Sequence, residues 1–240
     1  GWVEAPFKSY GTQKLFKLGL TNGKSNIKEI LCTEDHGWYV SKKGKSPKRT
    51  LLKELKVGDK LHSQFGKGRS GYKISSVGIA HGITYGDGHT VKGENNCNNI
   101  TLCSDSRILG KYFPESYVSS DEELCEGGSD FYSGLPNYFR QLPSIRENKS
   151  YLLGFLSGWF AADGNIDVNG SMAIHSVNKS DILFIQDLCG VLGISCGEIQ
   201  SQEVISNLTN KPHTMYKAFI HSNHLNEDFF FFLKHKSRFK

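Results

Sequence analysis

Apolar residues follow a helical spacing through residues 151–167, YLLGFLSGWFAADGNID. The spacing predicts a buried helix, and its apolar positions are Leu152, Phe155, Leu156, Trp159 and Phe160. Gly158 and Ala162 lie four residues apart, so they share a helix face that carries almost no side chain. That face allows a second helix to approach closely. Asp163 follows, and Gly164 after it indicates that the helix ends there.

Residues 78–89, GIAHGITYGDGH, repeat this pattern. Gly82 and Gly86 are again four residues apart, and Asp87 follows directly. Two helices with faces of small residues are expected to pack together, which would bring Asp87 and Asp163 to one shared end. Neighbouring carboxylates repel unless a positive charge lies between them, and a divalent cation with oxygen ligands meets that need.

The first part of the chain, residues 1–66, has the alternating pattern of strands rather than a helical one. Residues 14–23 alternate and end in Asn-Gly, which is a strong hairpin signal. Two more strands are predicted at 26–33 and 38–44, and a turn with a Gly-Asp bend at 51–61. The pattern predicts a small all-β unit.

The glycine-rich, basic segment 64–72, QFGKGRSGY, is typical of a linker. After it, the order helix, two strands, helix, two strands, helix is predicted twice. The predicted helices after the first strand pairs are 106–113 and Lys179–Leu192, and the last helix is 224–239. We therefore predict an α+β pseudo-dimer with one sheet per half, and three domains, 1–66, 67–148 and 149–240.

Composition and charge narrow the function classes only slightly. The net charge is +5, and residues 1–66 carry 13 Lys/Arg against 6 Asp/Glu, while the rest carries 16 against 18. This distribution is compatible with a nucleic-acid partner but does not by itself indicate one. The sequence has no apolar run of membrane-spanning length and opens with no secretory signal. The six irregularly spaced cysteines are predicted to be reduced thiols, as in an intracellular protein, cytoplasmic in a prokaryote or a phage-infected cell.

The two Gly-xxx-Gly/Ala-Asp-Gly segments resemble the LAGLIDADG dodecapeptide of intein-encoded homing endonucleases. The resemblance implies a monomeric two-repeat pseudo-dimer, αββαββα twice, that cuts both strands of a long asymmetric DNA site. It also implies Mg²⁺, with Mn²⁺ as a substitute, bound by Asp87 and Asp163 and by the backbone carbonyls of Gly86 and Ala162. The metal ions would generate hydroxide and stabilise the attacking and leaving oxygens.

Members of this family usually carry a lysine near the cleavage centre of each half. Here the matching segments read Arg140-Gln-Leu-Pro143 and Lys236-Ser-Arg238-Phe. The resemblance therefore assigns Arg140, Lys236 and Arg238 to the cleavage centres. Arginine is a positively charged phosphate ligand but a poor proton shuttle, because its pKa lies far above neutrality.

Polar side chains on the predicted strands are candidates for DNA contacts. Their chemistry suits base edges and phosphates in a major groove, although a merely solvated sheet face would have the same composition. The candidates are Lys92, Asn99, Thr101, His175, Gln200, Gln202 and Lys217.

The first 66 residues resemble the first half of the Hint fold of inteins, in the blocks YGTQKLFKLGLTNG, LCTEDHGWYV and LKELKVGDKL. Thr33 and His36 match the Thr-x-x-His block that activates the upstream splice junction in that family. A hydroxyl and an imidazole near a peptide bond can stabilise an oxyanion and protonate the leaving nitrogen. The alternative is that both residues only end a strand and shape a turn. Gly1-Trp2 offers no nucleophile and the chain closes without His-Asn, so we expect no self-splicing by these 240 residues.

Two other functions remain open from the sequence. One is a LAGLIDADG module that has lost cleavage and only binds DNA or intron RNA. The other is an internal part of a protein-splicing intein whose nuclease is vestigial.

Overall fold

A computed structural model describes residues 8–21, 27–42, 45–62, 73–91, 97–114, 128–206, 210–221 and 225–239. The chain divides into two compact units, residues 1–64 and residues 65–240. Each unit is described separately below.

The smaller unit is built of antiparallel strands, as its alternating pattern predicts. Strand β1 (Phe16–Thr21) pairs with β2 (Ile27–Cys32). Strand β3 (Gly37–Lys42) lies between β4 (Lys45–Leu51) and β5 (Lys60–Leu61). The sequence does not predict β4, because KSPKRTL is charged, contains proline and is mostly exposed.

The larger unit contains four α-helices and seven strands within its described residues. Helix α1 (Ser76–Asp87) precedes the antiparallel sheet β6-β7-β8, whose strands are His89–Val91, Cys97–Cys103 and Ser129–Leu135. Helix α2 (Lys149–Asp163) precedes the sheet β11-β12-β10-β9. The strands of this sheet are β9 Gly164–Ile166, β10 Met172–Ser176, β11 Gln200–Ile205 and β12 Pro212–Ile220. Helix α3 (Lys179–Leu192) lies between β10 and β11 in the chain, and helix α4 (Leu233–Arg238) follows β12. The prediction of mixed helices and antiparallel strands is confirmed.

The second half follows the predicted element order and the first half does not. Residues Ser104–Tyr112 form a 3-10 helix instead of an α-helix, and Ser104 at its start has a positive φ of 48°. Strand β8 is not among the predicted strands, because FYSGL lies in a stretch that carries no clear alternation. The last α-helix is also shorter than predicted, since Glu227–Phe229 forms a separate 3-10 helix, and Phe229 and Phe230 pack into the core.

Helices α1 and α2 each bury apolar residues against their own half. Helix α2 contributes Phe155, Trp159 and Phe160 to a core with β10, β12 and α3. Helix α1 contributes Ile79 and Ile83 to a second core with β7 and β8. Because large side chains point into the two cores, the surfaces that the helices turn toward each other are left to small residues.

The structure also bears on the predictions about the cysteines and about membrane-spanning helices. Cys32, Cys97, Cys189 and Cys196 are free thiols, as predicted. Cys103 is disulfide-bonded, so the prediction that all cysteines are reduced was wrong. Among the described residues, no helix combines the length and apolarity needed to cross a membrane.

Candidate metal and nucleic-acid site

Helices α1 and α2 are in direct backbone contact along a stripe of small residues. A Cβ added to Gly82 would touch the Phe155 carbonyl oxygen and lie 2.6 Å from the Trp159 nitrogen, closer than real Cβ atoms approach. The stripe is formed by Gly78, Gly82, Gly86, Gly154, Gly158 and Ala162. The predicted close approach of the two helices is confirmed.

The two helices run in the same direction and end together. At their starts, the Ser75 backbone nitrogen donates a hydrogen bond of 3.2 Å to the Ser150 carbonyl. At their ends, a Cβ added to Gly86 would lie 2.5 Å from the Ala162 Cβ and 3.1 Å from Asp163 Oδ2. Since α1 ends at Asp87 and α2 at Asp163, both carboxylates lie at one end of the helix pair.

The shared end disfavours negative charge. Burial, and then the charge of Asp163, raise the pKa of Asp87 from 3.8 to about 6. Burial also raises the pKa of Asp163, while a hydrogen bond from Trp159 and the charges of Arg140 and His175 partly offset it. Trp159 Nε1 donates to Asp163 Oδ2 at 2.9 Å. The ionised forms of both aspartates are therefore destabilised, and a cation shared between them would stabilise those forms.

The candidate metal ligands at this end are oxygen atoms. Gly86 and Ala162 lie in the last turns of their helices, where carbonyls have no partner within the helix. In the part of the chain that the structure describes, no group of three or more His, Cys, Asp and Glu side chains converges. Two carboxylates with backbone carbonyls suit a hard cation such as Mg²⁺, whereas zinc sites use nitrogen and sulfur ligands. The residues therefore fit the divalent cation that the resemblance implies.

Arg140 is brought to the same end by the short 3-10 helix Asn137–Arg140. Its guanidinium donates to the Thr84 carbonyl at 3.1 Å and to the Tyr85 carbonyl, in the last turn of α1. Its charge also lowers the pKa of Asp163. Arg140 is therefore a positive charge held near Asp163.

Arg238 and Lys236 lie elsewhere in the second half. Arg238 donates to the Ile166 carbonyl at 2.8 Å, at the far end of β9. Lys236 is exposed on α4. Within the described residues, no hydrogen bond or ion pair joins either side chain to Asp87 or Asp163. The structure thus brings Arg140 near Asp163 but not these two residues.

Four predicted contact residues of the second half share one face of its sheet. His175 lies opposite Lys217, and Lys217 lies opposite Gln200, so the three form a row across β10, β12 and β11. Gln202, two residues further along β11, is on the same face. The alternate residues Ile174 and Ala218 enter the core. The Asp163 carboxylate and backbone both act to raise the pKa of His175, so the row begins near that aspartate.

The predicted contact residues of the first half are less exposed. Asn99 and Thr101 alternate with the core residues Ile100 and Leu102, so they face away from the core. Asn99 is only 7% exposed and accepts a hydrogen bond from the Cys97 thiol. Thr101 is half-buried. Lys92 lies outside the described residues.

Three residues near the carboxylates are not among the predicted site residues. Trp159 holds Asp163, and its spacing of four residues within one helix is a signal that could have identified it. Tyr85 donates from its hydroxyl to Asp181 Oδ1 at 3.1 Å. Asp181 also accepts from Ser176, and its charge raises the pKa of Asp163. No sequence spacing relates Tyr85 to Asp181.

In the smaller unit, Thr33 and His36 lie at the turn between β2 and β3. The His36 backbone nitrogen donates to the Thr33 carbonyl at 3.1 Å, and the His36 carbonyl accepts from Leu52 at 2.9 Å. The His36 ring lies 5.0 Å from the Trp38 ring, measured between centroids. His36 is exposed and Thr33 half-buried. These contacts explain the turn, and a splicing role stays a prediction.

Comparison with known proteins gives matches among solved structures. No family model and no curated protein matches the sequence. I-DmoI in complex with DNA and Mn is similar with a TM-score of 0.41 and 15% identity, over 61% of this chain and 89% of that one. The N-terminal LAGLIDADG domain of DUF199/WhiA is similar with a TM-score of 0.40 and 16% identity, over 66% and 79%. Full-length DUF199/WhiA from Thermatoga maritima is similar with a TM-score of 0.42 and 15% identity, over 62% of this chain and 51% of that one.

Proposed function

We propose that this chain is an intein-derived LAGLIDADG homing endonuclease that makes Mg²⁺-dependent double-strand breaks at a long, asymmetric DNA site. The observation that carries the proposal is the backbone contact of α1 and α2, which end together at Asp87 and Asp163. Residues 67–148 and 149–240 are proposed as its two repeats. Residues 1–66 are proposed as part of a Hint domain, with Thr33 and His36 in the splicing role.

The carboxylates of Asp87 and Asp163, with the carbonyls of Gly86 and Ala162, would hold Mg²⁺ or Mn²⁺. The bound metal supplies an activated water and neutralises charge that develops on the phosphate. Trp159 fixes one oxygen of Asp163 through its indole N–H, which orients that carboxylate. Arg140 keeps a permanent positive charge at the end of α1, where a scissile phosphate would approach.

DNA binding by the second half is supported by the row of His175, Lys217 and Gln200. Donors and acceptors on one sheet face beside the carboxylates can contact base edges and phosphates while the backbone is cut. Gln202 extends that row. Lys92, Asn99 and Thr101 are proposed as the counterparts in the first half, and Lys236 and Arg238 as cations that contact phosphates.

The test is cleavage of a plasmid that carries the uninterrupted host-gene sequence spanning the insertion site. We expect linear product with Mg²⁺ and none with EDTA. Asp163→Asn should reduce the cleavage rate ~1000-fold, about 4 kcal/mol of transition-state stabilisation, and retain DNA binding in a gel-shift assay. Asp187→Asn removes an exposed aspartate from α3 and should cleave like the unmodified protein.

A second candidate is a binding module that has lost cleavage and only holds DNA or intron RNA. It is favoured by Arg140, whose guanidinium is bonded to two helix carbonyls and cannot exchange a proton at neutral pH. Specific binding in the same gel-shift assay, with an intact plasmid in Mg²⁺ and in Mn²⁺, would establish this function and overturn the nuclease.

A further inference from the structure

Two cysteines of the larger unit lie close together where α3 ends. Cys189 is in the last turn of α3 and is fully buried. Cys196 follows after the helix, is half-buried and packs against the same core. Both are free thiols. Neither belongs to the carboxylate site or to the row of His175, Lys217 and Gln200, so DNA cleavage does not account for the pair.

The backbone after α3 turns back along the helix and brings the two cysteines together. A glycine with a left-handed φ of 74° ends α3 and reverses the chain. The Ile194 nitrogen then donates to the Cys189 carbonyl at 2.8 Å. One turn earlier on α3, Gln186 Nε2 donates to the Gly197 carbonyl at 2.7 Å. Because these two bonds hold the returning segment against α3, Cys196 lies beside Cys189.

The other side of this returning segment is fixed to strand β12. Cys196 pairs with Ile220 in an isolated antiparallel bridge. The Gly197 nitrogen also donates to the Phe219 carbonyl at 2.7 Å. The Cys196 backbone is therefore held by the sheet on one side and by α3 on the other. In this position its sulfur accepts a hydrogen bond from the Cys189 thiol.

The hydrogen bond makes the two thiols chemically unequal. It lowers the pKa of Cys196, because a donor stabilises the thiolate, and burial opposes this only in part. The same bond, together with burial, raises the pKa of Cys189. The thiolate, and not the thiol, is the form that attacks a disulfide. Cys196, which solvent reaches, is therefore the attacking sulfur, and Cys189 is the neighbouring thiol that can resolve a mixed disulfide formed on it.

We propose that Cys189 and Cys196 form a redox-active dithiol, which a low-molecular-weight disulfide such as oxidised glutathione converts into an intramolecular disulfide. The Cys196 thiolate attacks one glutathione sulfur, which forms a mixed disulfide and releases one glutathione thiolate. Cys189 gives its proton to that thiolate and attacks the Cys196 sulfur, which releases the second glutathione. The two protein thiols lose two protons and two electrons, and the glutathione disulfide gains them.

The test exposes the folded, full chain to oxidised glutathione, blocks the remaining thiols with N-ethylmaleimide and maps the digest by mass spectrometry. A disulfide that joins Cys189 to Cys196 should appear, and dithiothreitol should reverse it. In Cys189→Ala the mixed disulfide on Cys196 cannot be resolved, so glutathione on Cys196 should increase about tenfold or more. In Cys196→Ala the buried Cys189 should stay unmodified.

Cys97→Ala is the matched control. Cys97 is also a half-buried free thiol, but it donates to the Asn99 side-chain oxygen at 3.6 Å and not to a second sulfur. This variant should form the disulfide between Cys189 and Cys196 as the unmodified protein does. The readout needs neither DNA nor metal, so it stands apart from the outcome of the cleavage assay.

Three results would overturn the proposal. One is glutathione retained on Cys196 of the unmodified protein while Cys189 carries N-ethylmaleimide. The second is that both thiols stay unreacted. The third is an equal rate of disulfide formation in guanidinium chloride, because the fold would then not prepare the pair. All three are measured on the unmodified protein, so they decide the proposal even where an alanine variant fails to fold.

Discussion

Helices α1 and α2 end in the same way in sequence but not in their surroundings. Asp163 is held by the Trp159 indole and lies near the positive charge of Arg140. For Asp87, burial and the charge of Asp163 are the influences that shift its pKa, to about 6. A repeated motif therefore fixes where two carboxylates lie, while residues outside the motif decide how readily each one is ionised. Asp87 gains most from a bound cation.

The largest effect is expected from breaking the helix contact that both aspartates depend on. In Gly82→Ala, the added methyl group would collide with the backbone of α2 at Phe155, and neither helix can move without disturbing its own core. We expect a loss of about 3 kcal/mol in the free energy of unfolding, measured by chemical denaturation.

Gly190→Ala is the matched control for this substitution. A Cβ at Gly190, on the exposed face of α3, has nothing within 4 Å. Because alanine is the better helix former, this variant should gain roughly 0.5–1 kcal/mol. Equal stabilities of the two variants would contradict the close contact of α1 with α2.

Acid should destabilise the protein through His81 of α1, which is 1% exposed. Its pKa is about 4 in the folded protein against 6.5 in the unfolded chain. Between these values the unfolded chain binds more protons, so the free energy of unfolding falls as the pH drops from 6.5 to 4. The contribution of His81 is about 3 kcal/mol, and His235, whose pKa burial also lowers to about 4, adds to the same loss. Denaturation at a series of pH values in EDTA measures it, and His81→Phe should flatten the slope.

Asp87 has the opposite effect on the free energy of unfolding over nearly the same pH range. Its folded pKa of about 6 lies above its ordinary 3.8, so the folded protein binds a proton first and gains stability as the pH falls toward 4. Asp87→Asn removes this compensation and should steepen the acid loss. An unchanged slope would show that Asp87 ionises normally and would remove the contrast between the two aspartates.

A substitution of Arg140 tests the influence of its positive charge on Asp163. Arg140→Gln loses charged hydrogen bonds to the last turn of α1 and should cost about 2 kcal/mol of unfolding free energy. It should also raise the pKa of Asp163, measured by NMR titration of that carboxyl in EDTA, because the guanidinium charge that lowers this pKa is lost. Arg238→Gln loses one bond to Ile166 and should leave the pKa of Asp163 unchanged.

The smallest expected effect is a difference in melting temperature between variants of the two aspartates. In EDTA, Asp87→Asn should raise the melting temperature by about 2 °C, because it removes a destabilised charge. Asp163→Asn should raise it less, since the Trp159 indole then loses its ionised acceptor. Both variants should lose the Mg²⁺-dependent rise in melting temperature. A larger rise in melting temperature for Asp163→Asn than for Asp87→Asn would contradict the inference that Asp87 carries the more destabilised charge.

Local patterns account for most of what the sequence predicts correctly. The helical spacing of Leu152 to Phe160 and the paired small residues predict a buried helix with a bare face, and the structure has both. The element order of the second half follows from alternation and helical spacing. These features depend on neighbours within a few residues, which is why periodicity finds them.

Contacts between distant segments could not be predicted in this way. Arg140 reaches carbonyls of α1, and Tyr85 reaches Asp181, only because packing brings these segments together. The low exposure of Asn99 has the same origin, because alternation gives the face of a residue but not what covers it. Strand β8 exists because β7 offers it a partner, with no strong pattern of its own.

The sequence by itself determined the two helices, their small-residue faces and the aspartates at their ends. The reason is that side-chain size and helical period together dictate which faces can touch. Only the tertiary structure decided that burial and Asp163 raise the pKa of Asp87, that Trp159 and Arg140 lower the pKa of Asp163, and that burial lowers the pKa of His81. Charge states depend on burial and on partners far away in the chain, and these exist only after the chain has folded.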